Sequence, residues 1–259
     1  MKPRGWLLGI SLANLLFLYG PIGILVAFSF NASRLSTTWG GATLRWYREL
    51  LSDSALMVAV ENSLTVAAVS TAIAAILGIA AAVGLESVPA RKQRIVEGVM
   101  LLPLIVPEVM LGVALMLFFV MIRWPLSLMT VTIGHAAFNV PVVVVIVRAR
   151  LRKMDPHLLE AAYDLGATPW QAFRLVTLPL LAPAIVGSAL LAFTISLDDF
   201  IVTFFTGGPG STTLPLKVYS MIKSGVSPEI NALSAVLVLV SMALVALAAA
   251  LQSRGATKH

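Results

Sequence analysis

The sequence predicts an all-helical membrane protein, a bundle of about six transmembrane helices. Three observations lead there. Of 259 residues, 59% are hydrophobic and 12% charged, whereas soluble domains carry about 25% charged residues. The mean hydropathy is +0.94, more apolar surface than one soluble core hides. The apolar residues also fall in long blocks, and a span needs about 20 such residues.

The blocks lie near 6–30, 57–84, 98–122, 127–147, 181–205 and 231–251. The first follows Met1-Lys2-Pro3-Arg4 and runs from Trp6 to Phe30 with no A-x-A site closing it. It reads as an uncleaved membrane helix rather than a signal peptide. The second is rich in small residues, Ser70 to Ala82 with Gly78 among them, which lets helix backbones approach closely in lipid. In the third, Pro103 and Pro107 predict a kink. The whole chain, 1–259, reads as one transmembrane domain with no convincing internal repeat.

Orientation follows from Lys and Arg, which collect on the cytoplasmic side. The chain has 18 of them. With the N-terminus inside, twelve are cytoplasmic: Lys2, Arg4, Arg91, Lys92, Arg94, Arg148, Arg150, Arg152, Lys153, Arg174, Arg254 and Lys258. Six are outside: Arg34, Arg45, Arg48, Arg123, Lys217 and Lys223. Six spans return the C-terminus to the cytoplasm. The net charge of +6 thus reads as a topology signal, and no nucleic-acid-binding motif accompanies it. With no cysteine, disulfides, thiol nucleophiles and Cys-ligated metals are excluded.

Outer connections span 31–56 and 206–230. Trp39, Trp46 and Tyr47 in the first suit interfacial anchors. The cytoplasmic connection 148–180 holds two short amphipathic helices. The first ends at Gly166, suited to a left-handed turn. The second starts at Thr168 as N-cap and Pro169 as first helical residue. Trp170, Phe173 and Leu175 give it an apolar docking face.

Ionisable groups inside spans are costly and mark function by default. Glu61, Glu108, Asp198 and Asp199 qualify, and no Lys or Arg lies deep in a span to pair with them. At 1.5 Å per residue, Glu108 falls about 15 Å into its span. Unpaired carboxylates on an apolar path favour a cationic solute, so Glu108 and at least one of Asp198 and Asp199 are candidate route residues. Adjacent helical residues point about 100° apart, so one of the two aspartates is expected to face the route. Glu61, beside Asn62 and Ser63, reads as locally satisfied. His135 and Asn139, at i and i+4, suit an interhelical hydrogen bond. No metal cluster is evident.

The loop Glu160-Ala161-Ala162 through Gly166 to Val176-Thr177-Leu178-Pro179 resembles the E-A-A-x3-G-x9-I-x-L-P signature of permeases in binding-protein-dependent ABC importers. It departs from that signature at Val176 alone. The resemblance implies a type I importer core, MetI-like, in a bacterial inner membrane. Glu160, Ala161, Ala162 and Gly166 would shape a coupling helix docking on a cytoplasmic ATPase, and Leu178 and Pro179 would return the chain to the membrane. No G-x-x-x-x-G-K-[ST] occurs, and Gly207-Gly208-Pro209-Gly210-Ser211-Thr212 lacks the lysine of a P-loop. The chain is therefore expected not to be an enzyme and to hold no cofactor, ATP and Mg being bound by the partner ATPase.

A second resemblance covers nearly the whole chain. Ser29-Phe30-Asn31-Ala32-Ser33-Arg34, Trp46-Tyr47, Ser196-Leu197-Asp198-Asp199-Phe200, Gly208-Pro209-Gly210, Thr213 to Ser220 and Gly225 to Leu233 look like the spermidine/putrescine importers. That family implies a permease heterodimer, an ATPase dimer, an extracytoplasmic binding protein and a polyamine substrate. The same machine importing another small cationic or organic solute is the alternative reading. A proton-coupled secondary transporter is the alternative class, and a membrane-embedded enzyme lacks the residues for it.

Overall fold

A computed structural model describes residues 5–33, 38–225, 227–240 and 242. Lys2, Arg4, Arg34, Arg254, Lys258 and the far half of the expected 231–251 span lie outside the described residues. In lipid every backbone N–H and C=O must be satisfied within its own segment, and the described residues are helical accordingly. Their one strand-like pairing is an isolated bridge between Asn31 and Ala42.

The helices are α1 (Gly5–Phe28), α2 (Arg45–Ser52), α3 (Ser54–Glu86), α4 (Ala90–Met100), α5 (Leu102–Ile105), α6 (Glu108–Met121), α7 (Leu128–Leu151), α8 (His157–Asp164), α9 (Pro169–Ala172), α10 (Leu178–Asp198), α11 (Ile201–Thr206) and α12 (Leu214–Lys223). A further helix, α13, covers Pro228–Val240. Four helical stretches are long and apolar enough to cross a membrane: Trp6–Phe28, Ser54–Glu86, Leu128–Leu151 and Pro169–Asp198. α6 and α13 are shorter apolar helices.

Two of the expected spans are broken. The third block becomes α4, α5 and α6. Val106 is extended, with ψ 135°, because it precedes Pro107, and a residue before proline is pushed out of the helical region. The expected kink is a full break, and Glu108 opens α6 instead of lying within a continuous helix. The fifth block breaks at Asp199, whose ψ is 126°, before α11 resumes.

The chain divides into two compact units, Met1–Met57 with Val218–His259, and Val58–Lys217. In the first unit the 31–56 connection is knotted around Asn31. Its side chain accepts from the Ser33 and Gly40 amides and donates to the Thr38 carbonyl. The Trp46 indole donates to the Asn31 carbonyl at 2.7 Å. Trp46 is 4% exposed, so it is a buried strut of this knot and not the interfacial anchor its sequence position suggested. Tyr47 bonds to Ser29 at 2.6 Å, while Trp39 is exposed.

In the second unit α7 is the buried centre. Its start is closed by the Ser127 amide donating to Thr130 Oγ1 at 2.8 Å. Along its length it packs on α10, and Val143 and Val147 join Ala74, Ala82, Leu181 and Ala192 in a core. The small residues of α3 act as expected. A Cβ at Gly78 would lie 2.7 Å from the Val143 side chain, so glycine allows α3 and α7 to touch.

Candidate functional site

α7 carries two buried ionisable side chains, His135 and Arg148, and each organises a different end of the second unit. His135 is 1% exposed. Its Nδ1 lies 2.7 Å from Ser196 Oγ on α10. Its Nε2 lies 3.0 Å from Thr203 Oγ1 on α11 and 3.1 Å from Asp199 Oδ2. Ser196 Oγ is in turn 3.1 Å from Ser70 Oγ on α3. The interhelical bonding expected of His135 is present and joins four elements. Asn139, one turn on, is buried with neither side-chain polar atom hydrogen-bonded to another described residue.

Asp199 is fully committed within this network. Its carboxylate accepts from the Val202 amide at 3.3 Å, the Thr203 amide at 2.9 Å and the Thr203 hydroxyl at 3.1 Å. It therefore caps α11 as a capping aspartate does, by satisfying the free N–H groups of a first turn.

Asp198 behaves oppositely. It is exposed, and among the described residues it has no ion-pair or hydrogen-bond partner. It lines a cavity of about 670 Å³ with Glu108, Pro103, Leu111, Phe138, Val142, Thr194 and Phe200, with Asp199 at the wall. Glu108 is also exposed and, among the described residues, unpartnered. The break after α5 and the break after α10 thus bring two free carboxylates to one apolar-walled space. Glu61 lies elsewhere and is exposed. Its neighbours do the tying: Asn62 donates to the Gly210 and Thr212 carbonyls, and Ser63 accepts from the Leu214 amide.

Arg148, counted in the sequence only as a topology charge, is 2% exposed. Its Nε is 2.8 Å from Glu86 Oε1 at the end of α3, and its Nη1 is 2.5 Å from Glu97 Oε2 on α4. The guanidinium so locks α3, α4 and α7 together. Close beyond it lies the 148–180 connection. α8 ends before Gly166, which has φ 83°, a value only glycine adopts cheaply. Thr168 Oγ1 accepts from the Gln171 amide at 3.3 Å, and the Gln171 side chain accepts from the Thr168 amide at 2.8 Å. This reciprocal capping box starts α9, and Pro169 takes the first helical position. A π-helical turn, Phe173–Thr177, then leads into α10.

Glu160 sits on α8 with its carboxylate 3.0 Å from His157 Nδ1. Ala161 is exposed and Ala162 buried against the loop. Leu178 and Pro179 open α10. Leu165, Trp170 and Leu175 are exposed, Leu165 at 87%, so this connection presents an apolar face uncovered among the described residues.

Comparison with known proteins fits these features. Residues 74–254 match the family described as binding-protein-dependent transport system inner membrane component. The putrescine transport system permease protein PotI of Escherichia coli (strain K12) is 45% identical over 236 residues, covering 88% of this chain and 84% of the relative. The spermidine/putrescine transport system permease protein PotC of the same organism is 38% identical over 250 residues, 96% of this chain and 94% of the relative. In fold, the chain is similar to a bacterial ABC transporter that imports the acidic polysaccharide alginate, with TM-score 0.75 and 20% identity over 98% of this chain and 95% of that one. A second structure of a bacterial alginate transporter, with a pentasaccharide-bound periplasmic protein, aligns equally well. By the family match and these identities, the chain belongs to the inner membrane permease components of binding-protein-dependent transport systems.

Proposed function

We propose that this chain is one of two permease subunits of an ATP-driven polyamine importer, and that its solute passes the cavity holding Asp198 and Glu108. One observation carries the reading: two carboxylates without a cationic partner among the described residues share one apolar-walled cavity. Buried or membrane-embedded acids are costly unless something neutralises them, and a diamine or triamine supplies that charge. The relatives' names, putrescine and spermidine/putrescine transport permeases, agree with a flexible polycation.

In this reading both termini are cytoplasmic, as the Lys and Arg bias indicates. A cytoplasmic ATPase dimer binds ATP and Mg and docks on the connection shaped by Glu160, Ala161, Ala162 and Gly166. Leu165, Trp170 and Leu175 supply the apolar contact. A loaded extracytoplasmic binding protein docks on the outer connections 31–56 and 206–230. Closure of the ATPase pair moves the coupling segment, and Leu178 and Pro179 pass that motion into α10. Because α10 ends at Asp198, the same helix links the docking face to the cavity. The bundle then alternates between outward and inward access.

The test is uptake of labelled putrescine and spermidine into proteoliposomes holding the full complex, with ATP and loaded binding protein. ATP-dependent uptake is expected, abolished by Glu160→Arg and reduced about tenfold or more by Asp198→Asn, given the cost of losing a partner for a desolvated charge. Uptake driven by a proton gradient without ATP overturns the mechanism. ATP turnover without uptake of either amine overturns the substrate.

A further inference from the structure

The break between α10 and α11 leaves two adjacent aspartates at one corner, and only one of them is free. Asp199 is held by three donors from α11 and by His135. What sets the division is the position of the imidazole. Its two nitrogens touch both helices flanking the break, Ser196 on α10 through Nδ1 and Thr203 on α11 through Nε2, with Asp199 between them. The ring brackets the corner against α7.

The direction of each hydrogen bond can be worked out. The Thr203 hydroxyl gives its proton to Asp199, so both oxygens facing Nε2 are acceptors. Nε2 therefore carries hydrogen. In the neutral ring Nδ1 then accepts from the Ser196 hydroxyl, and the Ser70 hydroxyl divides its one proton between Ser196 Oγ at 3.1 Å and the Ala67 carbonyl at 3.4 Å. Ser70, Ser196, His135, Thr203 and Asp199 are each engaged within this relay, and none of them bonds to Asp198. Rotation of the corner about the Asp199 backbone would exchange the two carboxylates between wall and cavity. The bracket opposes that rotation.

We propose that His135 is a positioning residue for transport: through Asp199 and Ser196 it fixes the α10–α11 corner so that the Asp198 carboxylate faces the cavity shared with Glu108. This rests on the reading that the solute passes that cavity. It adds the residue that decides which aspartate meets the solute.

The test uses the complete complex in proteoliposomes with labelled putrescine, read as solute moved per ATP hydrolysed. His135→Leu is expected to lower that ratio about tenfold or more, since misplacing a contact group by about 1 Å is enough for such a loss. Assembly and binding-protein-stimulated ATP turnover should stay within about twofold, because the ring hydrogen-bonds only to Ser196, Asp199 and Thr203 and to no described residue of the 31–56, 148–180 or 206–230 connections. His135→Gln is the conservative variant. Its amide N–H reaches toward Asp199 and its carbonyl can accept from Ser196, and it should restore the ratio to within about threefold.

Wild-type coupling in His135→Leu overturns the proposal. So does a Gln variant as impaired as Leu, or a Leu variant that fails to assemble or loses ATP turnover in proportion to uptake, since a scaffold role would produce those. Asp198→Asn is run in parallel. If it transports normally, the cavity route itself falls. If it is impaired while His135→Leu is not, only the positioning role falls.

Discussion

His135 and Arg148 lie thirteen residues apart on α7, about 20 Å along its axis. Both are buried, and they are partnered in opposite ways. Arg148 faces two carboxylates, Glu86 and Glu97, which are 40% and 35% exposed. Its full charge is met by full charges that still touch water. His135 faces one carboxylate that is itself 6% exposed, and the hydroxyls of Ser196 and Thr203 complete the ring's partners. The difference teaches where charge is spent in this fold. At the basic end of α7 the charges of Arg148 and Arg152 cancel those of Glu86 and Glu97 in a lock. At the other end amide, hydroxyl and imidazole groups absorb one aspartate, so its neighbour stays free for the cavity.

Breaking the lock should have the largest effect. Arg148→Glu places three carboxylates around one site, and like charges at close range raise the cost of keeping all of them ionised. The complex is expected not to assemble, seen as loss of the monodisperse peak after detergent extraction. Arg148→Met should be milder, because Glu86 and Glu97 retain water. A cost below the roughly 3–5 kcal/mol of a fully buried orphaned charge is expected, read as a fall in melting temperature.

The two aspartates give the next contrast. Asp199→Ala leaves the Val202 and Thr203 amides and His135 without their acceptor, and each orphaned buried donor costs about 1–3 kcal/mol. Asp198→Ala removes a side chain with no partner among the described residues, so melting should shift by less than about 0.5 kcal/mol. Uptake should fall in both. Equal melting in the two variants would erase the distinction between wall and cavity.

The sequence made one of these regions far more legible than the other. The 148–180 connection obeys rules a few residues long: Gly166 for a positive φ, Thr168 for an N-cap, Pro169 for a first turn. The structure places each as expected. The apolar blocks likewise announced the helices. The His135 network links Ser70 to Ser196 across 126 positions and His135 to Thr203 across 68. No local pattern encodes such pairs. The one available hint was Asp199 three residues before Val202, an N-cap spacing, and its carboxylate accepts from the Val202 amide. Arg148 was missed for a related reason. Its partners Glu86 and Glu97 sit at the edges of apolar blocks, where a charge looks like a topology marker. The break at Pro107 was half legible, since proline announces a disruption but not its extent.

Packing between α3 and α7 supplies a smaller effect. Gly78→Ala puts a methyl 2.7 Å from Val143 and 3.3 Å from the Val140 carbonyl. α3 and α7 must part slightly, at about 1–3 kcal/mol for overpacking. Gly84, with open space where its Cβ would lie, is the control: alanine there should be neutral or slightly stabilising, because it favours the helix. Melting temperatures of the two variants separate close packing from helix propensity.

The smallest expected effect belongs to the legible region. Thr168→Ala removes the acceptor for the Gln171 amide and one half of the capping box, a loss of about 1 kcal/mol. Thr168 is exposed, so no cavity forms and water replaces the hydroxyl. Global melting should therefore move little. Its consequence should appear instead in hydrogen exchange, as faster exchange of the Gln171 and Ala172 amides at the start of α9. Thr168→Ser keeps the oxygen and should restore protection. If exchange in the alanine variant accelerates as far back as the Thr203 amide, the two ends of α10 are mechanically joined, and the cap and the His135 bracket belong to one cooperative element. If acceleration stops within the first turn after Thr168, the docking face and the cavity corner are separately stable, and the motion that links them must come from outside the resting fold.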